Sequence, residues 1–353
     1  MNTYLSYKLK VLSLIAIIFV VFIHANINIS DSTNFLYENS AFLQYFISQG
    51  ITRTAVPMFF IISGYLYFIS FDGTLNTYLI KTKKRIKSLV LPYFITSFSV
   101  FIFYYFTILF SKRIFNSPGR FLDQSLGEIL DIIFIHPLPY QLWFLRDLII
   151  FVFLSPFIYY LLKYLRFYFI VILLFLWLRI LPFDFYIFSN EGILFFSLGG
   201  FLAFKKFFLI KKRKGKFYYF IICSWFLLLI IKSIYNINHG VENRISDVLL
   251  KISILYGIIS VWSLYDIFMK KKEIPNKILL KLSYYSFFIY LIHEPILLGS
   301  LKMLSIIFIK KNELLTSFFY FFNAFITIIL CIIIAKILQK YTPKLYSFII
   351  GGR

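Results

Sequence analysis

The first residue in this chain whose type and place could do chemistry is His24. It follows a run, 11–23, that is apolar except for Ser13, and Ala25 and Asn26 come after it. A charged side chain at the centre of a membrane helix costs about 2.5–3.5 kcal/mol, so an ionisable group kept near lipid suggests a functional reason. Imidazole changes charge near neutral pH and can take a proton from a hydroxyl, which makes His24 a candidate general base. Asn28 and Asp31 follow. They would share its face if the helix continued, so Asp31 is a candidate to orient the ring. The alternative is a histidine that only reaches for the lipid headgroups.

Four other stretches carry polar groups in apolar surroundings. Arg53 opens a block that runs through Val56-Pro57 to Ser63-Gly64-Tyr65. Its guanidinium must find an anion, a carbonyl or water, Pro57 frees backbone groups, and Ser63-Gly64 would let another helix approach closely. Gln141 to Asp147 brings Trp143, an aromatic suited to a membrane interface, and Arg146 beside Asp147 as a local charge pair. Ser286 to Pro295 includes Tyr290, His293 and Glu294. Lys84 and Arg85 stand in a basic segment, where ordinary positive-inside bias is the plain reading. Cys223 and Cys331 sit alone in apolar runs without metal or disulfide spacing, so no metal site is expected.

The elements that position these residues must be membrane helices. With 353 residues, 60% hydrophobic and 22% aromatic, the chain has more apolar surface than one soluble core hides. An all-α, polytopic membrane protein of about ten transmembrane helices is expected, since a span needs roughly 20 apolar residues. The runs are 11–30, 43–71, 88–111, 141–162, 166–183, 191–209, 217–235, 247–269, 282–304 and 315–338. The second is long enough to begin with an interfacial turn near 42–50, and 121–135, with Asp123, Glu128 and Asp131, reads as an amphipathic surface helix. Lys8 and Lys10 precede the first run without a small-residue cleavage site after it, so a retained span is expected rather than a signal peptide.

Most of the 37 basic residues fall at alternate ends of these runs, which places both termini in the cytoplasm and His24 and His293 in the outer half of the bilayer. The net charge of +22 is accounted for by this bias and by anionic lipid, and gives no reason to expect nucleic acid as a partner.

Together, the helix ending in His24, the block Arg53 to Leu66, Lys84-Arg85 with Pro92-Tyr93, Leu142-Trp143-Phe144-Leu145 with Pro156, Gly199-Gly200, and Ser286 to Pro295 resemble the membrane acyltransferase 3 family. These bacterial multi-span enzymes O-acylate carbohydrates, usually with acetyl from acetyl-CoA. The resemblance spans nearly the whole chain and implies one transmembrane domain over 1–353, without the soluble hydrolase-like domain that some relatives carry. It implies an O-acetyltransferase of the bacterial cytoplasmic membrane, acting on a cell-surface or lipid-linked glycan.

His24 would be the base and Asp31 its orienting group. Lys84 and Arg85 would contact the CoA phosphates, and Arg53 would hold the thioester region or an acceptor charge. Trp143, Arg146, Tyr290 and His293 would form the acceptor side. The family places an arginine where this chain has Ser13, so Lys10, one turn earlier, is the candidate substitute; Gln141 stands where relatives often have histidine. A transporter or flippase for lipid-linked sugars also fits ten spans with buried Arg and His, although no two-half internal repeat is visible. A multi-span glycan polymerase fits less well, because the longest outer connection is only about 111–140.

Overall fold

The computed structural model of the chain describes residues 3–27, 38–115, 125–181, 183–205, 215–269, 276–309 and 312–352, and all regular structure among them is helical. The helices are α1 (Thr3–His24), α2 (Glu38–Ile47), α3 (Ala55–Phe68), α4 (Leu75–Arg85), α5 (Leu91–Phe115) and α6 (Leu126–Phe134). Next come α7 (Trp143–Phe153), α8 (Ser155–Tyr164), α9 (Phe167–Trp177), α10 (Asn190–Phe204), α11 (Lys216–His239) and α12 (Arg244–Phe268). The last are α13 (Lys277–Ser283), α14 (Ser286–Ile292), α15 (Leu298–Ile309), α16 (Glu313–Tyr341) and α17 (Pro343–Ile349).

Among the described residues seven helical stretches are long and apolar enough to cross a membrane, and eight if the bent pair α7–α8 counts as one span. The expected spans at 166–183 and 191–209 appear as α9 and α10, of 11 and 15 residues, shorter than a straight crossing needs. Outward faces carry large apolar side chains, among them Phe98, Phe106 and Phe110 on α5 and Met303, Ile306 and Ile307 on α15, as lipid contact requires.

Helix α1 forms the hub. It packs on α3, α12, α13, α14 and α16, and Leu12, Ala16, Ile17 and Val21 are fully buried. Its first turns carry a buried ion pair, Lys8 Nζ to Asp266 Oδ1 of α12 at 2.8 Å, with the ammonium 4.1 Å over the Trp262 ring. Tyr4 donates its hydroxyl to the same carboxylate at 2.5 Å.

Helices α3 and α10 touch through glycines. A Cβ on Gly64 would lie 2.0 Å from the Phe196 carbonyl oxygen, and one on Gly199 would lie 2.2 Å from that of Ile61. Only backbone without a side chain permits this approach, and it fulfils the expectation drawn from Ser63-Gly64. Gly199→Ala must push the helices apart. It is expected to lower stability by roughly 1–3 kcal/mol, read as a drop in Tm of the detergent-solubilised protein.

Three expected spans are broken, each for a local reason. The second divides into α2, a 3-10 turn Ile51–Thr54 and α3, so the expected interfacial turn is present. The loosened backbone is covered by hydroxyls: Thr52 donates to the Ile47 carbonyl at 2.8 Å and Thr54 to that of Ile51 at 2.9 Å. The fourth bends by 68° between α7 and α8. Pro156 cannot donate to Val152 and its ring crowds that carbonyl.

The ninth is not one continuous helix. Glu294 is extended (φ −126°, ψ 156°), as residues before proline tend to be, and the chain restarts as α15. Helix α6 covers the described part of the surface helix expected over 121–135, residues 121–124 lying outside the described residues. It buries no residue and begins with a capping box in which the Ser125 hydroxyl accepts from the Glu128 N–H and the Glu128 carboxylate accepts from the Ser125 N–H. In the turn before α4, hydrogen bonds from Thr77 and Thr74 hold the Asp72 carboxyl down to about 2. That cap is therefore complete at neutral pH and is lost only as the pH falls through about 2.

Candidate functional site

His24 is the last residue of α1, and the chain then leaves the helix through Ala25. The Ile27 N–H is taken by Gln44 Oε1 at 2.8 Å, so α1 does not continue through Ile27, and Asn28, expected to follow on its face, lies outside the described residues. Asp31 itself lies outside the described residues.

Two rings flank His24. The Tyr140 hydroxyl hydrogen-bonds its Nδ1, and the ring centroids are 4.8 Å apart. The His293 ring lies 5.4 Å away, so the two span histidines meet, although 269 positions separate them in sequence.

The break in the ninth span sets the state of His293. Its Nδ1 lies 3.0 Å from the carbonyls of both Ile289 and Tyr290. Carbonyls only accept, so Nδ1 carries a proton, and in the neutral ring Nε2 holds the lone pair. That nitrogen is buried without a hydrogen-bond partner.

The same break is tied to the 3-10 turn before α7. Gln141 Nε2 donates to the Glu294 carbonyl at 2.5 Å, and the Tyr290 hydroxyl donates to the Gln141 carbonyl at 2.8 Å. Gln141, noted only as a departure in the sequence, is thus the joint between the two stretches. The Lys302 ammonium donates to the His24 carbonyl at 3.0 Å.

From Tyr290 a cavity of about 610 Å³ runs along α1, lined by Ser13, Lys10, Ser63, Phe144 and Arg85. Ser13 and Lys10 both line it. Arg85 also lines a second cavity of about 560 Å³ with Lys81, Lys84, Lys87 and the Gly351-Gly352 backbone. One side chain therefore borders both a largely apolar chamber and a cationic one. Helix α4 ends in Lys83, Lys84 and Arg85, where cations also complement the helix dipole.

The remaining expected site residues are placed differently. Arg53 bonds Gln49 within the broken second span and interacts electrostatically with Tyr140 and Glu191, while its Nε is buried without a hydrogen-bond partner. It borders neither cavity described above. Trp143 packs on Phe60 with centroids 6.2 Å apart, and its neighbour Phe144 is the one that faces the cavity.

Arg146 belongs to a structural knot. It donates to the Ile135 carbonyl at 2.8 Å and pairs with Asp147 at 2.9 Å. Asp147 in turn accepts from the N–H and hydroxyl of Ser189, the N-cap of α10. Among the described residues Arg146 makes no hydrogen bond or ion pair to the histidines.

Tyr140 and Lys302 were missed by the reading of the sequence. Tyr140 is one of 27 tyrosines in a segment assigned to a loop and carried no signal. Lys302 did carry one, a cation inside the apolar run 282–304. Among the described residues no group of three or more His, Cys, Asp or Glu could hold a metal ion.

A family model described as an acyltransferase domain matches residues 7–336. The succinoglycan biosynthesis protein ExoH of Rhizobium meliloti (strain 1021) is 26% identical over 369 aligned positions, which cover 100% of this chain and 94% of that protein. No solved structure matches the chain. The match covers nearly the full length, and the chain is a member of the acyltransferase 3 family.

Proposed function

We propose that the protein is a multi-pass O-acyltransferase of the bacterial cytoplasmic membrane, with both termini in the cytoplasm, that moves an acyl group from acyl-CoA to a hydroxyl of a cell-surface or lipid-linked glycan. Acetyl-CoA is the first donor to test. The observation that carries the reading is the continuity of three features: a cationic chamber, an apolar chamber sharing Arg85 with it, and Tyr290, whose ring is 6.5 Å from His293 at the histidine pair. The relative's role in succinoglycan biosynthesis supports a polysaccharide acceptor.

On this reading Lys84 and Arg85 hold the CoA phosphates, and the pantetheine arm and thioester occupy the chamber past Ser13 and Phe144. His24 is half-buried and Tyr140 is 53% exposed, so the acceptor hydroxyl reaches this pair from the outer side. His24 donates its Nδ1 proton to the Tyr140 oxygen, which leaves Nε2 to take the proton of the sugar hydroxyl. The sugar oxygen attacks the thioester carbonyl carbon, the Tyr140 O–H donates to the developing oxyanion, the C–S bond breaks, and the CoA thiolate takes the proton back from His24. His293, whose Nδ1 proton is held by backbone, forms the inner wall.

The test is incorporation of label from acetyl-CoA and other acyl-CoA donors into glycan, by membranes with and without the chain. Label that depends on the chain supports the reading. Movement of lipid-linked sugar without acylation would favour a flippase. Arg85→Gln is expected to raise the donor KM by roughly tenfold, as loss of a charge-assisted phosphate contact should. A ground-state contact of this kind leaves kcat nearly unchanged.

A further inference from the structure

Among the described residues the charges around the histidine pair do not balance. Arg53 Nη2 bonds the Gln49 side chain, and Lys232, only 2% exposed, donates to the Gln49 carbonyl at 2.8 Å, so one neutral residue bridges two cations. Lys302 donates to the His24 carbonyl. Arg53 and Lys302 both act electrostatically on His24.

The ion pairs found among the described residues are Lys8–Asp266, His136–Asp131, Arg146–Asp147 and Lys251–Asp247, and none involves these three cations. Two carboxylates act on them from longer range, Glu191 on Arg53 and Glu294 on Lys302. Among the described residues three cations thus face two carboxylates without one direct pair. A cation held away from water and left unpaired is strongly unfavourable, and Arg53 keeps a buried, unpartnered Nε.

We infer that the outer side of the site is built for a substrate that brings one negative charge beside His24, a carboxylate or phosphate bound by Arg53. This rests on the acyltransferase reading and names the substrate class within it. The charge has two possible sources. It is carried either by the acyl group, as in a dicarboxylic acid joined to CoA through one end, or by the sugar, as in a uronic acid or a phosphorylated residue. In either case the anion fixes the hydroxyl and the thioester against each other, and a planar guanidinium suits that task better than an ammonium.

The experiment is chemical analysis of surface and lipid-linked glycan from cells that carry the chain, compared with cells in which its gene is deleted. Mass spectrometry identifies the ester that disappears and the sugar that bore it. The expected result is an ester that is itself anionic, or a neutral ester on an anionic sugar, and these two results distinguish the sources. A neutral ester on a neutral sugar overturns the inference and leaves the acyltransferase reading intact, with Asp31 the residue to examine as internal partner of the cations.

If deletion removes no ester, the acyltransferase reading fails and takes this inference with it. In the same cells Arg53→Gln, at equal protein abundance, is expected to cut the ester by at least about thirtyfold, and Arg53→Lys to keep a measurable part of it. Arg53→Gln esterifying as well as wild type would overturn the role given to Arg53.

Discussion

Membranes carrying His24→Ala, with protein abundance equal to wild type, are expected to lose transfer of labelled acyl groups by roughly 10²–10⁴-fold, the usual contribution of a positioned general base. The ring is held by Tyr140 on one side and packed against His293 on the other. Alanine therefore removes the proton acceptor while the backbone contact to Lys302 can persist, because it is made by the residue 24 carbonyl. Donor KM should change little, since Lys84 and Arg85 lie at the cationic chamber and not at this end. Equal transfer by the variant and wild type would overturn His24 as base. Suspicion would then pass to His293, whose Nε2 already carries the lone pair a base needs.

The largest loss of stability is expected from Asp266→Ala, about 3–5 kcal/mol. The variant would leave the Lys8 ammonium without its carboxylate, in a pocket where the lysine side chain is 1% exposed and the carboxylate fully buried. Removing both charges is different: Lys8→Met with Asp266→Leu should recover most of the loss, because no uncompensated ion remains. Thermal unfolding in detergent of the single and double variants checks this. A double variant no better than Asp266→Ala would mean that the pair acts through a shape its apolar replacements cannot copy.

How much of this was legible depended on whether the signal was local. Apolar runs locate most spans, and the histidine placed where lipid should exclude it marks the end of α1. A proline in an apolar run announces a break, and Pro156 and Pro295 each sit at one; the runs 141–162 and 282–304 nevertheless read as continuous. The first span also reads as helical to residue 30, because nothing in residues 25–27 alone says that Gln44 will capture the Ile27 N–H. Lys10 was the expected cation near Ser13, whereas the burial of Lys8 against Asp266 depends on a partner 258 residues away, which no spacing rule reaches. The meeting of His24 with His293 and Tyr140 was equally hidden, since it is made by three elements whose approach is decided by packing. Arg146 misled for the converse reason: a charge in an apolar span draws attention, yet it ties Asp147 and the start of α10 in place.

The two hydrogen bonds that cross between Gln141 and the ninth span have a mechanical meaning. Tyr140 and His293 stand on opposite ends of that clasp, and parting them would break both bonds in surroundings with little water to replace them. They therefore move as one rigid jaw, with His24 on the other. The tip of α1 is itself tethered, by Ser48 at the Phe22 carbonyl and by Lys302 at the His24 carbonyl, so the spacing of the three rings is set by the protein before any substrate arrives.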